Sequence, residues 1–279
     1  MNFGRWLLAL IMPAGLVMAA FVYGLGQLGW QSLHGEDGGV GLGQYLAFLA
    51  RPDYRAVLVT TISIALATTA LCLAIGYPAA YGIARAGRWR NTLMIFVILP
   101  WLVSVVVRTY GWTVILGNRG TLNSLLMSLG VTDGPIRLLY NQTGVLIGLT
   151  HVFCPFMIIS ILTVLMHVDR SLEEASANLG AGPTETFFRV TLPLSVPGVV
   201  AGSTIVFLLS TGAIITPLLL GGPRNGMLST QIYQDVFQLF DFPKAGAMAF
   251  MLMAIAGLLI WPLQLVERRV TRNLRRADA

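Results

Sequence analysis

The sequence predicts an all-α, polytopic membrane protein with six transmembrane helices, and three observations carry that prediction. Only 11% of the 279 residues are charged, against roughly 25% in soluble domains. Hydrophobic residues make up 56%, above the roughly 45 to 50% of an ordinary globular chain. Charge-free stretches long enough to cross a bilayer recur along the whole length. The apolar content excludes disorder, the lack of a glycine period excludes a collagen-like chain, and 2 cysteines exclude a disulfide scaffold.

The spans follow from the charge-free intervals, because an ionised side chain at the bilayer centre costs at least about 2.5 to 3.5 kcal/mol. These intervals run 6–33, 56–84, 91–107 (continuing past Arg108 to 118), 138–168, 190–223 and 245–266. Each holds about 20 apolar residues, enough at about 1.5 Å per residue to cross a core of about 30 Å. The expected helices are about 7–30, 57–83, 93–117, 141–166, 195–219 and 246–266, in one transmembrane domain over 1–279. Arg5 and the small residues Val17-Met18-Ala19-Ala20 also fit a signal peptide. Apolar character continues to Trp30, beyond the usual apolar stretch of a signal, and favours a retained span.

An even number of spans puts both termini on one side. Arg5, Arg85, Arg88, Arg90, Arg170, Arg189 and the tail arginines 268, 269, 272, 275 and 276 outnumber Arg51, Arg55, Arg119, Arg137, Arg224 and Lys244 in the opposite loops. By the positive-inside rule both termini face the cytoplasm. Arginines directly after a span act as a topology anchor, so no nucleic-acid partner is expected. Pro13, Pro78, Pro100, Pro155, Pro217 and Pro262 fall within or near the spans and tend to bend them. Gly76, Gly144, Gly148, Gly202, Gly212 and Gly257 are expected at close helix contacts.

Reaction chemistry is nearly absent. His34, His151 and His167 lack metal-ligand spacing, and Cys72 and Cys154 stand singly in different spans, so no metal or cofactor is expected. The only lysine, Lys244, lies between Pro243 and Ala245, which excludes the phosphate-cradling GxxxxGK[ST] loop. The chain is therefore expected to be non-catalytic, with any ATP handled by another subunit.

The loop between the fourth and fifth spans is the informative one. Ser171 and Glu174 have capping-box spacing for a helix starting at Leu172, and Gly180 is placed to stop it. Leu172, Ala175, Ser176 and Leu179 follow the i, i+3, i+4, i+7 pattern, giving an apolar or small side that needs a partner. Pro183 suits the first turn of a second short helix carrying Thr184 to Val190, before Leu192-Pro193 returns to the bilayer.

Glu174-Ala175-Ser176, then Gly180, then Val190-Thr191-Leu192-Pro193, resembles the EAA-x3-G-x9-I-x-LP loop of ABC importer permeases, with Ser176 and Val190 departing conservatively. Leu99-Pro100-Trp101, Val107-Arg108-Thr109-Tyr110-Gly111-Trp112, Leu116-Gly117-Asn118 and Pro217 to Arg224 resemble the spermidine/putrescine-type branch. The resemblance implies the type I ABC importer permease fold and coupling helices at about 171–190. It assigns Glu174, Ala175, Ser176, Gly180, Val190, Leu192 and Pro193 to contact with a cytoplasmic ATP-binding subunit. It also implies two copies of that ATPase, a second permease subunit, an extracytoplasmic solute-binding protein and a place in the bacterial inner membrane. The cargo it implies is a polyamine or related small amine, or an organophosphonate.

Candidates for the substrate path are Trp101, Arg108, Tyr110 and Trp112, with Asp235 and Asp241 in an outer loop beside Tyr233, Phe237 and Phe240. Aromatic faces attract ammonium groups, but Trp and Tyr also populate the bilayer interface. Arg108, the charge inside a span, has two readings: structural pairing, with Asp235, Asp241 or a partner's carboxylate, or recognition of an anion. Gln44 to Ala50 and Leu122 to Leu129 read as short amphipathic surface helices. An ion-coupled secondary transporter is the rival class; it would be expected to carry intramembrane carboxylates, which these spans lack.

Overall fold

Helices dominate because apolar stretches removed from water must satisfy their backbone donors and acceptors internally. A computed structural model describes residues 3–34, 39–222 and 226–277, with side chains over 12–34, 39–222 and 226–265. Pro223 and Arg224, and the side chains of Arg5 and of arginines 268, 269, 272, 275 and 276, lie outside the described residues. In chain order the helices are α1 (Phe3–Ser32), α2 (Gly43–Ala50), α3 (Pro52–Arg85), α4 (Arg90–Leu102), α5 (Val105–Leu116) and α6 (Thr121–Ser128). There follow α7 (Gln142–Leu165), α8 (Arg170–Asn178), α9 (Pro183–Thr186), α10 (Leu192–Thr211), α11 (Ile215–Leu220), α12 (Leu228–Phe237) and α13 (Phe242–Ala277). Among the described residues no strand forms, and a lone antiparallel bridge joins His34 to Val40.

Met12–Ser32, Pro52–Arg85, Gln142–Leu165, Pro183–Thr211 and Phe242–Leu265 are each long and apolar enough to cross a membrane. The third charge-free interval is not one continuous helix. Three residues past Pro100 the backbone turns extended at Val103 and Ser104, and Gly87–Leu102 meets Val105–Ser128 at 91°. Taken as one bent span, this pair brings the number to six.

The chain divides into two compact units, Met1–Arg55 with Gln231–Ala254 and Ala56–Thr230 with Ile255–Ala279. The larger unit is built around α7, apolar on all sides and therefore surrounded by other helices. Its main core joins Tyr77 and Ala80 of α3, Met157 and Ile161 of α7 and Val206 of α10. A second cluster gathers Ile64, Leu116, Val145, Leu149, Leu220 and Met227. The buried Thr61 hydroxyl donates to the Val57 carbonyl and accepts from the Leu228 amide, both at 2.8 Å, tying α3 to the start of α12.

Helices α7 and α10 approach until a side chain on Gly198 would not fit. A Cβ there would lie 2.9 Å from the Ser160 carbonyl, and one on Gly202 would lie 2.7 Å from the Met157 sulfur. Gly202 was expected at such a contact; Gly198 was missed, because only the crossing point of the two helices singles it out. Among the described residues Gly257 does not make the close contact expected of it, since an added Cβ would have nothing within 4 Å. For Gly212 the one neighbour among the described residues is its own helix's Leu208 carbonyl, at 3.7 Å.

In the smaller unit Phe48 of α2 is buried and stacks on Tyr54, ring centroids 5.2 Å apart. The expectation of an outer-loop carboxylate fails for Asp235. This residue sits in α12 with 0% exposure, and its Oδ1 pairs with Lys244 Nζ at 2.9 Å. The salt bridge keeps the carboxylate inside despite its desolvation, while Oδ2 has no hydrogen-bond partner among the described residues. Asp241 immediately precedes α13, its carboxylate accepting from the Lys244 amide at 3.1 Å.

Two stability predictions follow from this packing. Gly198→Val should destabilise the chain by roughly 1 to 3 kcal/mol, read as a lower thermal midpoint in detergent, whereas Gly257→Ala should not. Lys244→Met should cost about 3 kcal/mol by leaving a buried carboxylate uncompensated, and adding Asp235→Leu should recover much of the loss.

Candidate functional site

The segment from Asp169 to Pro193 folds as a chain of short, individually capped pieces. The Asp169 carboxylate caps α8, accepting from the Ser171 amide at 2.9 Å. The expected capping box of Ser171 and Glu174 is therefore displaced two residues upstream, because an ionised oxygen at a helix start outcompetes a neutral hydroxyl. Hydrogen bonds from the Ser171 backbone and hydroxyl hold the Asp169 carboxyl below its ordinary value.

Helix α8 ends where the sequence put its stop. Gly180 adopts φ +89°, its amide bonds the Ala177 carbonyl at 2.9 Å, and the Ala181 amide bonds the Ser176 carbonyl at 3.2 Å. That pair of bonds is the Schellman closure, which needs a left-handed residue and so favours glycine. Pro183 opens α9 as its first residue. The Ser176 hydroxyl lies 3.0 Å from that of Thr186, so the residue that departs from the alanine of the motif bridges the two short helices. Phe187–Thr191 then widens into a single π turn that carries the half-buried Val190 and leads into Leu192 and Pro193 of α10.

One carboxylate ties this segment to the C-terminal end of α3. Arg85 Nη2 lies 2.6 Å from both oxygens of Glu173, and the buried Thr191 hydroxyl donates to Oε1 at 2.6 Å. The Arg85 guanidinium stacks 3.6 Å above the Tyr81 ring, and Tyr81 and Tyr77 both meet the Phe187 ring edge to face. Burial pushes the Glu173 carboxyl up, but hydrogen bonds from Thr191 and Arg85 outweigh it and hold the group below its ordinary value. Sequence reasoning missed Glu173, Arg85 and Thr191. The available signal was a pair of opposite charges in two loops assigned to the same side, which pattern alone does not bring into contact.

The other side of α8 is bare. Leu172 is 47% exposed and Leu179 89% exposed, one above the other on the helix, with Glu174 and Ala175 also exposed. Two leucines left uncovered at this spacing form a ready hydrophobic contact face.

The substrate-path candidates separate into two groups. In the larger unit Trp112 Nε1 donates to His151 Nδ1 at 3.2 Å, Trp101 meets Phe156 edge to face, and Tyr110 is exposed. Arg108 Nε and Nη1 are buried and without hydrogen-bond partners among the described residues. Asp235 and Asp241 belong to the smaller unit, joined by the Asp241 amide donating to the Asp235 carbonyl at 2.9 Å.

Comparison with known proteins gives this arrangement a family. Residues 72–276 match the family described as binding-protein-dependent transport system inner membrane component. The spermidine/putrescine transport system permease protein PotB of Escherichia coli (strain K12) is 33% identical over 82% of this chain and 82% of its own length. The Molybdenum transport system permease protein ModB of Mycobacterium bovis is 29% identical, covering 78% of this chain and 81% of its own. Among solved structures, a bacterial ABC transporter involved in the import of the acidic polysaccharide alginate aligns with TM-score 0.71 and 20% identity, over 95% of this chain and 96% of that one. The inward-facing MetNI methionine ABC transporter aligns with TM-score 0.53 and 18% identity, over 78% and 94%. With an ABC importer permease fold, a family match over most of its length and a relative one third identical, the chain belongs to the binding-protein-dependent transport system inner membrane components, the permease subunits of ABC importers.

Proposed function

We propose that this permease carries spermidine, putrescine or a related small amine from an extracytoplasmic solute-binding protein to the cytoplasm. It works with a second permease subunit and two copies of a cytoplasmic ATP-binding subunit, which hydrolyse the ATP. Both termini face the cytoplasm, and residues 1–279 act as one transmembrane permease domain. Glu174, Ala175, Ser176, Gly180, Val190, Leu192 and Pro193 form or position the segment on which the ATPase acts. The relatives named for spermidine and putrescine support the cargo.

The observation that carries the coupling role is the two-sidedness of α8. Its Glu173 side is bonded to α3 and to Thr191, while Leu172 and Leu179 face outward. A motor protein pushing on the bare face would move α8 with the end of α3, and packed helices would carry the displacement along the spans as domain rocking. Arg108 favours a second cargo reading, an anion such as an organophosphonate, because its buried Nε and Nη1 have no hydrogen-bond partner among the described residues.

Glu174→Arg and Gly180→Trp should each lower ATP-dependent spermidine uptake by reconstituted complex about tenfold or more, a docking loss of at least about 1.4 kcal/mol, with normal membrane insertion. Undiminished uptake removes the coupling role, and uptake that persists without ATP and follows an ion gradient favours the secondary-transporter class. Arg108→Gln separates the cargo readings: a shifted substrate profile with intact assembly assigns recognition, and lost assembly assigns structure. Because the folded Glu173 value is depressed, its tie is fully present above the ordinary glutamate range and lost as pH falls through the lowered value. Hydrogen exchange over 170–180, corrected for intrinsic rates, should quicken over that acid window, and Glu173→Gln should weaken the tie at neutral pH and abolish its pH dependence.

A further inference from the structure

Beside the Glu173 tie lies a cavity of about 350 Å³, its lining including Ala84, Arg85, Arg90, His167, Arg170 and Thr191. Three guanidiniums and two carboxylates, Asp169 and Glu173, face it. Both carboxylates are already engaged, Glu173 by Arg85 and Thr191 and Asp169 by the Ser171 amide. Arg90 and Arg170 close no ion pair among the described residues. Instead each turns one Nη2 to the same acceptor, the Ala84 carbonyl, at 3.2 and 3.3 Å. Two guanidiniums sharing a single neutral oxygen leave donors over, and Arg90 Nε is buried with no hydrogen-bond partner among the described residues.

We propose that this cavity binds the phosphate of an anionic lipid headgroup. The net charge of its ionised walls is one positive, which a phosphodiester neutralises, and forked guanidinium donors match phosphate oxygens. Its place argues for a lipid source. The cavity sits where the apolar spans stop, at Arg85 of α3 and Leu165 of α7, and where α4 starts at Arg90. Trp89 is 58% and Met166 47% exposed, with Leu93 exposed one turn beyond Arg90, giving acyl chains an apolar surface to follow. Basic pockets between helix ends at a bilayer face are sites of this kind. Bound there, the headgroup would brace Arg170 of α8 against the end of α3, so lipid charge would bear on the coupling segment. The binding requires the chain to span a bilayer and is independent of the polyamine reading.

The test uses native mass spectrometry of the full-length chain in neutral detergent, titrated in separate arms with dioleoylphosphatidylglycerol, dioleoylphosphatidylcholine and inorganic phosphate. Phosphatidylglycerol should bind in preference to phosphatidylcholine, and the Arg90→Gln, Arg170→Gln double variant should bind it about tenfold more weakly, as expected for lost charge-assisted hydrogen bonds. Arg88→Gln, an exposed arginine outside the cavity, should match the parent chain. If the double variant unfolds, the single Arg90→Gln and Arg170→Gln variants with unchanged thermal midpoints decide the matter. Inorganic phosphate binding alone, abolished in the variants while the lipid is ignored, would overturn the lipid source and assign a free phosphate. Equal binding of both lipids, or variants that bind phosphatidylglycerol like the parent, would overturn the site. Spermidine uptake measured in parallel keeps a failure here distinct from a failure of the transport reading.

Discussion

The bond between Glu173 and its partners, Arg85 and Thr191, is the constraint on which the geometry of the Asp169 to Pro193 segment depends. It joins three stretches far apart in sequence: the end of α3, the first turns of α8 and the π turn before α10. Its value lies in position more than in stability. The two charged side chains keep 36% and 23% exposure, and exposed ion pairs contribute only about 0.2 to 1 kcal/mol. What raises this one above a surface contact is its fixed geometry: two short bonds from Arg85 Nη2 to one carboxylate, that arginine stacked on Tyr81, and a third bond from the buried Thr191 hydroxyl. The helix that carries the motif is thereby held on one side and left bare on the other.

Behind that tie the larger unit is tightly packed, which is what the proposed transmission of displacement would require. Lipid tails are as apolar as leucine, so helices in a bilayer associate through close fit rather than through escape from water. The contact of α7 with α10 at Gly198 and Gly202 is such a fit, with backbone where side chains would otherwise stand. The 91° bend between the α4 and α5 segments has a different consequence. It puts Trp101 before the break and Arg108, Tyr110 and Trp112 after it, so residues adjacent in the motif sit on differently directed helices.

The smaller unit handles charge by burial. Asp235 and Lys244 lie nine residues apart on successive helices, and their pairing allows a carboxylate with no solvent contact. Isolated burial of that charge would cost several kcal/mol, so the lysine is needed for as long as Asp235 is present. Arg108 shows the opposite arrangement, with buried nitrogens and no bonded counterpart among the described residues.

Composition and period determined the all-helical class, the short surface helices at α2 and α6, and the stop at Gly180, because each follows from local rules: apolar length, capping chemistry and the rarity of a positive φ. The motif of the Asp169 to Pro193 segment was legible for the same reason, its spacing being contained in a single loop. Tertiary structure alone decided that Glu173 rather than Glu174 anchors the loop, that Ser176 bridges α8 to α9, that Gly198 marks a helix crossing, and that Asp235 is buried beside Lys244. These depend on which distant side chains arrive within about 3 Å of one another, and a hydrogen bond or ion pair has no strength until they do. Local sequence sets where helices start and stop; only packing sets which of their faces meet.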